Sequence, residues 1–316
     1  MTTIKLGTRG SRLALWQAHH VADRLRALGE QGGTAVEVEI ITISTKGDRI
    51  LDKPLADIGG KGLFVKEIEV ALLNGEIDLA VHSLKDLPVE QPAGLVLRAY
   101  PQAAAPEDAL CGRMPLPSLD ALPEGARVGT GSVRRQAQLR RLRPDVRFVG
   151  LRGNVETRLS RRFEAPPGEE EPLDAVILAK AGLERLGLWE TGYLPLGPPE
   201  VLPAVCQGVL AIQVREDDEA TSRYVDMLND ARTLVRVAAE RACLAGIEGN
   251  CHTPFAVYAT LDDEGACLTL DARLFDDDGE RMVEEQASVV LGDEPLGAAA
   301  ALGAALASRL LEGRDW

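Results

Sequence analysis

Short β-type runs alternate with helical periods through the first two thirds of the chain. Ile4–Thr8 has the pattern of a strand, and Ser11 stands where it would cap a helix whose Leu13, Trp16, Val21, Leu25 and Leu28 recur near helical spacing. Val36–Ile43 predicts the next strand; after a polar loop a helix follows near Leu63–Leu73, then a strand at Ile77–Val81. This β-α-β-α order predicts an α/β sheet with strands mainly parallel, in which reactive residues collect at strand ends. A second unit of the same type begins after the Pro-rich stretch Met114–Pro123, with strands at Arg127–Thr130, Val146–Val149 and Asp174–Leu178 separated by helical segments. Two similar lobes imply a cleft. Glu164–Pro172, acidic and Pro-containing, reads as an exposed loop. From about Arg232 the pattern becomes one long helix, then strands near Phe255–Leu261, Ala266–Phe275 and Met282–Leu291, then an Ala-rich helix, which predicts a small α+β domain.

Length and composition narrow the class. At 316 residues the chain exceeds the size at which one core usually stops growing, so two or three domains are expected. Hydrophobic residues at 45% and charged residues at 27% exclude wholesale disorder. A formal charge of -14 disfavours general nucleic-acid binding. The longest membrane candidate, Leu296–Ala307, is too short to span and is closed by Ser308 and Arg309. With no signal-peptide pattern at the start, a cytoplasmic location is expected. Five cysteines without a C-x-x-C pair signal neither a disulfide framework nor a zinc site, so any functional cysteine acts as a single thiol.

One segment reverses the sign of the charge. Residues 127 to 162 hold eleven arginines against Asp145 and Glu156, a local +9 that leaves -23 on the rest. Arginine without lysine suits bidentate recognition of carboxylate or phosphate oxygens, so the partner should be a compact polyanion. Arg140, Arg141, Arg143, Arg161 and Arg162 are at least as well explained as solvated helix-face charges with local acidic partners. Arg134, Arg135, Arg152 and Arg158 instead sit in Gly129-Thr130-Gly131-Ser132-Val133-Arg134-Arg135 and Leu151-Arg152-Gly153-Asn154-Val155-Glu156-Thr157-Arg158. Each segment follows a strand and opens a helix, a setting in which backbone N–H groups and arginines converge on an anion. Thr8-Arg9-Gly10-Ser11 repeats the arrangement in the first lobe.

Two further strings carry chemistry. Ile77-Asp78-Leu79-Ala80-Val81-His82-Ser83-Leu84-Lys85-Asp86-Leu87-Pro88 puts His, Ser, Lys and Asp in the turn after a buried strand. Asp86 could merely cap that turn; beside Lys85 it could also stabilise developing positive charge or shuttle protons while the cation holds a substrate carboxylate. Cys251 lies in the loop Glu248-Gly249-Asn250-Cys251-His252-Thr253-Pro254, exposed by its turn context. Cys111, Cys243 and Cys267 fall inside periodic apolar segments and read as inert buried thiols.

Together these motifs resemble the porphobilinogen deaminase, or hydroxymethylbilane synthase, family over nearly the whole length. The strings that carry the likeness are Thr8-Arg9-Gly10-Ser11 with Ala14-Leu15-Trp16-Gln17-Ala18, Gly59-Gly60-Lys61-Gly62-Leu63-Phe64, Ala80–Asp86, Ser132–Arg135, Leu151–Arg158 and the Cys251 loop. The resemblance implies a transferase that condenses four porphobilinogen molecules head to tail, releasing ammonia at each step, before water frees hydroxymethylbilane. It implies a dipyrromethane cofactor joined by a thioether to Cys251. It also implies two periplasmic-binding-protein-like (type II) α/β domains and a small C-terminal α+β domain. The expected boundaries are 1–105 with a return segment 205–228, then 106–204, then 229–316.

By the same resemblance Asp86 is the catalytic group, at the pyrrole N–H groups. Ser83, Lys85, Thr130, Ser132, Arg134, Arg135 and Arg158 would hold the cofactor. Arg9, Ser11, Gln17, Arg152, Arg185 and Gln207 would hold substrate, and Lys61 would belong to a lid over residues 46 to 61. No metal, nucleic acid or membrane is expected, and the chain should act as a monomer. Gly131 stands where the family often has Ser, and Cys206 where Gly is expected; Cys206 is read as a structural substitution. The competing readings are a non-catalytic two-lobed anion- or solute-binding protein and, with little support at 4% aromatic residues, an RNA-binding protein.

Overall fold

A computed structural model describes residues 2–33, 35–45, 65–249 and 253–316. Lys61 with the remainder of the expected lid, and Cys251, lie outside the described residues. The chain divides into two compact units, Met1–Ala103 with Val209–Leu234, and Ala104–Gly208 with Val235–Trp316.

In the first unit, β1 (Thr2–Thr8), β2 (Val36–Thr42), β3 (Leu79–Ser83), β4 (Leu95–Ala99) and β10 (Leu210–Arg215) form one sheet in the order β2-β1-β3-β10-β4. β1 pairs parallel with β2 and β3, and β10 is the single reversed strand. Helix α1 (Arg12–Gln31) starts where the Ser11 hydroxyl accepts the Ala14 N–H at 3.3 Å. Its Ala18, Val21, Ala22 and Leu25 are buried with Ile4, Leu6, Leu79 and Val81, so alternate residues of β1 and β3 meet one helical stripe. Burial of a side chain such as Leu25 contributes about 1.5–3 kcal/mol. Helix α2 (Lys66–Leu73) covers the opposite face through Ile68 and Leu72 against Ala80.

The second unit contains a sheet with the same pattern of strand directions, although its reversed strand comes first in the chain and not last. Strands β5 (Asp108–Gly112), β6 (Arg127–Gly129), β7 (Arg147–Val149), β8 (Ala175–Ala179) and β9 (Leu194–Leu196) lie in the order β7-β6-β8-β5-β9. Here β5 is the reversed strand, antiparallel to both β8 and β9. The expectation of mainly parallel strands holds in both sheets, with one antiparallel strand in each. Helices α3 (Val133–Leu142), α4 (Val155–Ser160) and α5 (Lys180–Arg185) each follow a parallel strand.

After α6 (Glu219–Val225), helix α7 (Ala231–Gly246) leads to the antiparallel sheet of β11 (Phe255–Leu261), β12 (Cys267–Phe275) and β13 (Met282–Val290), closed by α8 (Pro295–Glu312). α7 and α8 bury Ala239, Cys243, Leu306 and Leu310 against Phe255, Val257, Leu268 and Leu270. Gly303 permits the two helices to touch, because a Cβ there would lie 2.2 Å from the Ala239 carbonyl oxygen. The sheet's other face is polar, and its Arg273 donates to the carbonyls of Pro199 and Glu200 at 2.7 and 2.8 Å and to Gln138 at 3.1 Å. Cys267, expected to be buried, is only half-buried, because as the first residue of β12 it falls on that open face.

Candidate active site

In the first unit the C-terminal ends of β1 and β3 lie side by side, since Gly7 pairs with Ala80. That adjacency gathers Arg9 and Ser11 after one strand with Ser83 at the end of the other and Lys85 and Asp86 just after it. His82 and Ser83, expected in the turn, are instead the last two residues of β3, because the buried ladder to β10 runs through them. Gln17, buried on α1, donates from Nε2 to the Ser83 hydroxyl at 2.9 Å, so helix and strand end are joined by a polar bond inside an apolar layer. Residues Leu84–Asp86 form a single 3-10 turn, which leaves Leu84 buried, Lys85 half-buried and the Asp86 carboxylate exposed.

The strand alternation that aims Ser83 at α1 aims His82 at the opposite face. Its Nε2 lies 3.0 Å from Gln213 Oε1, while Gln213 Nε2 donates to Gln91 Oε1 at 3.0 Å and to Glu69 at 3.4 Å. With the amide oriented this way, His82 carries its proton on Nε2 and donates it. Burial drives the His82 pKa down from 6.5 to about 4, with the bond to Gln213 opposing. An unfolded chain takes up a proton there that the native chain refuses. Stability is therefore fully present above pH 6.5 and falls as the pH drops toward 4, by about 2 kcal/mol between pH 7 and pH 5. Urea unfolding at those two pH values should show His82→Gln losing that much less stability than the wild type; equal losses would contradict the assignment.

In the second unit the ends of β6, β7 and β8 again lie together. Ser132 caps α3, its hydroxyl accepting the Arg135 N–H at 3.4 Å, and the Thr130 hydroxyl accepts the Ser132 N–H at 3.2 Å. Arg134 and Arg135 follow at once on the first turn of α3, and both are buried, at 5% and 9% exposure. Their partner is Asp108, the first residue of β5, with no exposed surface. Asp108 Oδ2 accepts from Arg134 Nη2 at 2.8 Å; Oδ1 accepts from Arg135 Nη2 at 2.6 Å and from Gln207 Nε2 at 2.9 Å. Burial would raise the Asp108 pKa, but the two guanidinium groups outweigh it and hold the carboxyl well below its ordinary range. Asp108 was not a candidate on sequence. Its local context, one acid before an apolar run, carries no signal of the residues that fold onto it.

Two guanidinium groups against one carboxylate leave the cluster with a net positive charge. Arg134 Nη1 and Arg135 Nη1 donate to the carbonyls of Leu202 and Ile177 at 2.6 and 3.0 Å. Arg135 Nε is buried without a hydrogen-bond partner among the described residues. A buried donor on a net-positive cluster fits an anionic ligand group, such as a pyrrole-borne carboxylate. Nearby in sequence, Arg158 Nε donates to Gly153 O at 2.8 Å, and Arg152 is half-buried. Arg185 donates to Gly208 O at 2.7 Å, and burial lowers its pKa to about 10.

Arg147 is exposed, and six other arginines of the basic segment are engaged by the protein itself. Arg143 pairs with Asp145 at 2.8 Å and Arg161 with Glu164 at 3.9 Å, as expected of charges with local partners, while Arg127, on β6, pairs with Glu169, distant in the chain. Arg140 and Arg141 depart from that expectation. They donate to the carbonyls of Asp278 and Glu280, at 2.9 and 2.8 Å. Arg162 departs further: it is buried, bonded to the carbonyls of Leu159 and Gly112, and stacked on Tyr193. The local +9 is thus largely structural.

Burial raises the pKa of Cys111 and Cys243 to about 12. Cys206 is 2% exposed, and its pKa too is raised by burial and by the nearby Glu240. Its φ of 55° lies in the left-handed region that glycine adopts without penalty, which accounts for the glycine expected there. The Cys206 N–H donates to Glu240 Oε2 at 2.6 Å, and Glu240 Oε1 accepts the Ala259 N–H at 3.1 Å, so a buried carboxylate ties this turn to β11. Among the described residues no group of three or more His, Cys, Asp or Glu is placed to hold a metal ion.

Two five-stranded sheets, each with one reversed strand and with polar residues at its parallel-strand ends, followed by a small α+β module, define a mixed α/β protein. The chain belongs to the porphobilinogen deaminase family. The family's "Porphobilinogen deaminase, dipyromethane cofactor binding domain" matches residues 4–223, and its C-terminal domain matches 234–312. A porphobilinogen deaminase of Nitratidesulfovibrio vulgaris (strain DP4) is 48% identical over 285 residues, covering 90% of this chain and 86% of that one. One from Syntrophotalea carbinolica is 45% identical over 313 residues, covering 98% and 93%. Among solved structures, the chain is similar to the L-cystine solute receptor of Neisseria gonorrhoeae, with a match covering 79% of this chain and 94% of that one at 11% identity and TM-score 0.39.

Proposed function

We propose that this chain is a porphobilinogen deaminase, a transferase that joins four porphobilinogen molecules head to tail and releases hydroxymethylbilane. The observation that carries the reading is 45% identity sustained over 98% of the chain with a relative of that name. Each joining breaks the bond to the substrate's aminomethyl nitrogen, which leaves as ammonia, forms a carbon–carbon bond to the next pyrrole and releases that ring's α-proton; water completes the last step. Bound to the protein, dipyrromethane supplies the pyrrole carbon from which condensation starts. Its attachment is assigned to Cys251, in keeping with the burial of Cys111, Cys206 and Cys243, whose raised pKa values deny them thiolate character.

Asp86 is the catalytic residue in this reading. Its exposed carboxylate accepts hydrogen bonds from pyrrole N–H groups and opposes the positive charge that appears on the ring as ammonia departs. The same carboxylate assists loss of the α-proton. Every substrate brings an acetate and a propionate, and the cations match them: Lys85, Arg135 and Arg158 toward the cofactor, Arg9, Arg152 and Arg185 toward incoming substrate. Arg134 and Gln207, both bonded to Asp108, contribute through that cluster. Gln17 holds the Ser83 hydroxyl, and Ser11, Thr130 and Ser132 shape the loops that precede the helices. Incubation with porphobilinogen should yield four ammonia per hydroxymethylbilane; recovery of bound but intact porphobilinogen would favour a solute-binding protein instead.

A further inference from the structure

We infer that Asp108 is a positioning residue, which aims Arg135 at a carboxylate of the cofactor. The inference rests on the cofactor-binding reading above. Its starting point is an electrostatic conflict. Arg134 and Arg135 are adjacent on the first turn of α3, where the helix N-terminus adds positive potential of its own. Two buried guanidinium groups in that setting repel each other, and without a counter-charge each would turn toward water. Asp108 resolves the conflict by accepting one N–H from each, on different oxygens, at 2.8 and 2.6 Å.

The geometry separates the two arginines by task. Arg134 is held at both ends of its fork, by Asp108 and by the Leu202 carbonyl, and functions as scaffold. Arg135 is held by the same two kinds of partner on its Nη atoms while its buried Nε lacks one. The cluster's uncompensated positive charge is therefore offered by Arg135. Gln207 fixes Asp108 in turn, donating to Oδ1 at 2.9 Å and to the Pro106 carbonyl at 2.7 Å, so the carboxylate cannot swing away when a competing anion arrives. β5 supplies the rigid base, with Asp108 paired to Ala179 of β8 and to Leu196 of β9.

The test is the rate at which apo-protein incubated with porphobilinogen gains covalent mass, read on intact chains at a temperature where circular dichroism shows the fold retained. Asp108→Asn removes the counter-charge and should slow loading at least about tenfold, the scale of one lost charge-assisted hydrogen bond. Asp108→Glu keeps the charge and carries the test should the Asn variant not fold; its added methylene should slow loading at least about threefold. In an Arg135→Gln background, Asp108→Asn should slow loading no further, an outcome that a purely structural role would not produce. Loading within twofold of wild type in a folded Asp108→Asn or Asp108→Glu variant overturns the inference, and so does additivity with Arg135→Gln. A wild-type chain that gains no mass removes the cofactor reading and this inference together, whereas wild-type loading with unaffected variants removes this inference alone.

Discussion

Asp86→Asn is expected to lower turnover of porphobilinogen by about 10²- to 10⁴-fold, the range over which a positioned acid–base group acts. The exchange keeps the shape of the side chain and removes its charge, so it discriminates electrostatic and proton-transfer roles from simple packing. Asp86 is exposed at the end of the 3-10 turn Leu84–Asp86, so stability should change by no more than about 0.5 kcal/mol. The loss should fall on kcat, with covalent loading still detectable by mass, because the charge is needed most when ammonia leaves and the ring becomes cationic. Turnover within threefold of wild type would remove Asp86 from its role.

Cys251→Ser should be more drastic. A hydroxyl cannot replace a thiol as the anchoring nucleophile, so the variant should gain no covalent mass from porphobilinogen and produce no hydroxymethylbilane above background. The control is Cys206→Gly, which should load as wild type does. Cys206 is buried in a left-handed turn, with its thiol held protonated by its surroundings. A loaded Cys251→Ser chain, or an unloaded Cys206→Gly chain that folds, would reverse the assignment of the two sulfurs.

The order of elements in both lobes was legible in the sequence because each parallel strand and its helix are neighbours in the chain, and their periods of two and 3.6 are local signals. Ser11 and Ser132 announce their helices by the same local logic, and the structure finds both as caps. What the pattern could not show is the pair of reversed strands. β10 completes the first sheet by pairing Ile212 with Val81, and its alternation is masked by the buried Gln213. β5 opens on a buried Asp, a residue type that argues against a core strand until its two arginines are in place.

The candidate site divides in the same way. Motif strings located the strand ends that carry Arg9, Ser83, Lys85, Asp86, Ser132 and Arg135. Composition overstated the free charge of the basic segment, since counting arginines says nothing of the backbone carbonyls that Arg140, Arg141 and Arg162 reach across the fold. Asp108 was invisible for the complementary reason. Its importance comes from residues 26, 27 and 99 positions away in the chain.

The central claim is that one sulfur carries the cofactor on which porphobilinogen is condensed. Peptide mapping of the wild-type chain after incubation with porphobilinogen tests it most directly. The account predicts a thioether-linked adduct of two pyrrole units, lighter than two porphobilinogens by the ammonia lost, on the peptide containing Cys251 and on no other. An unmodified chain that nonetheless turns over porphobilinogen, or an adduct on a different residue, would contradict it.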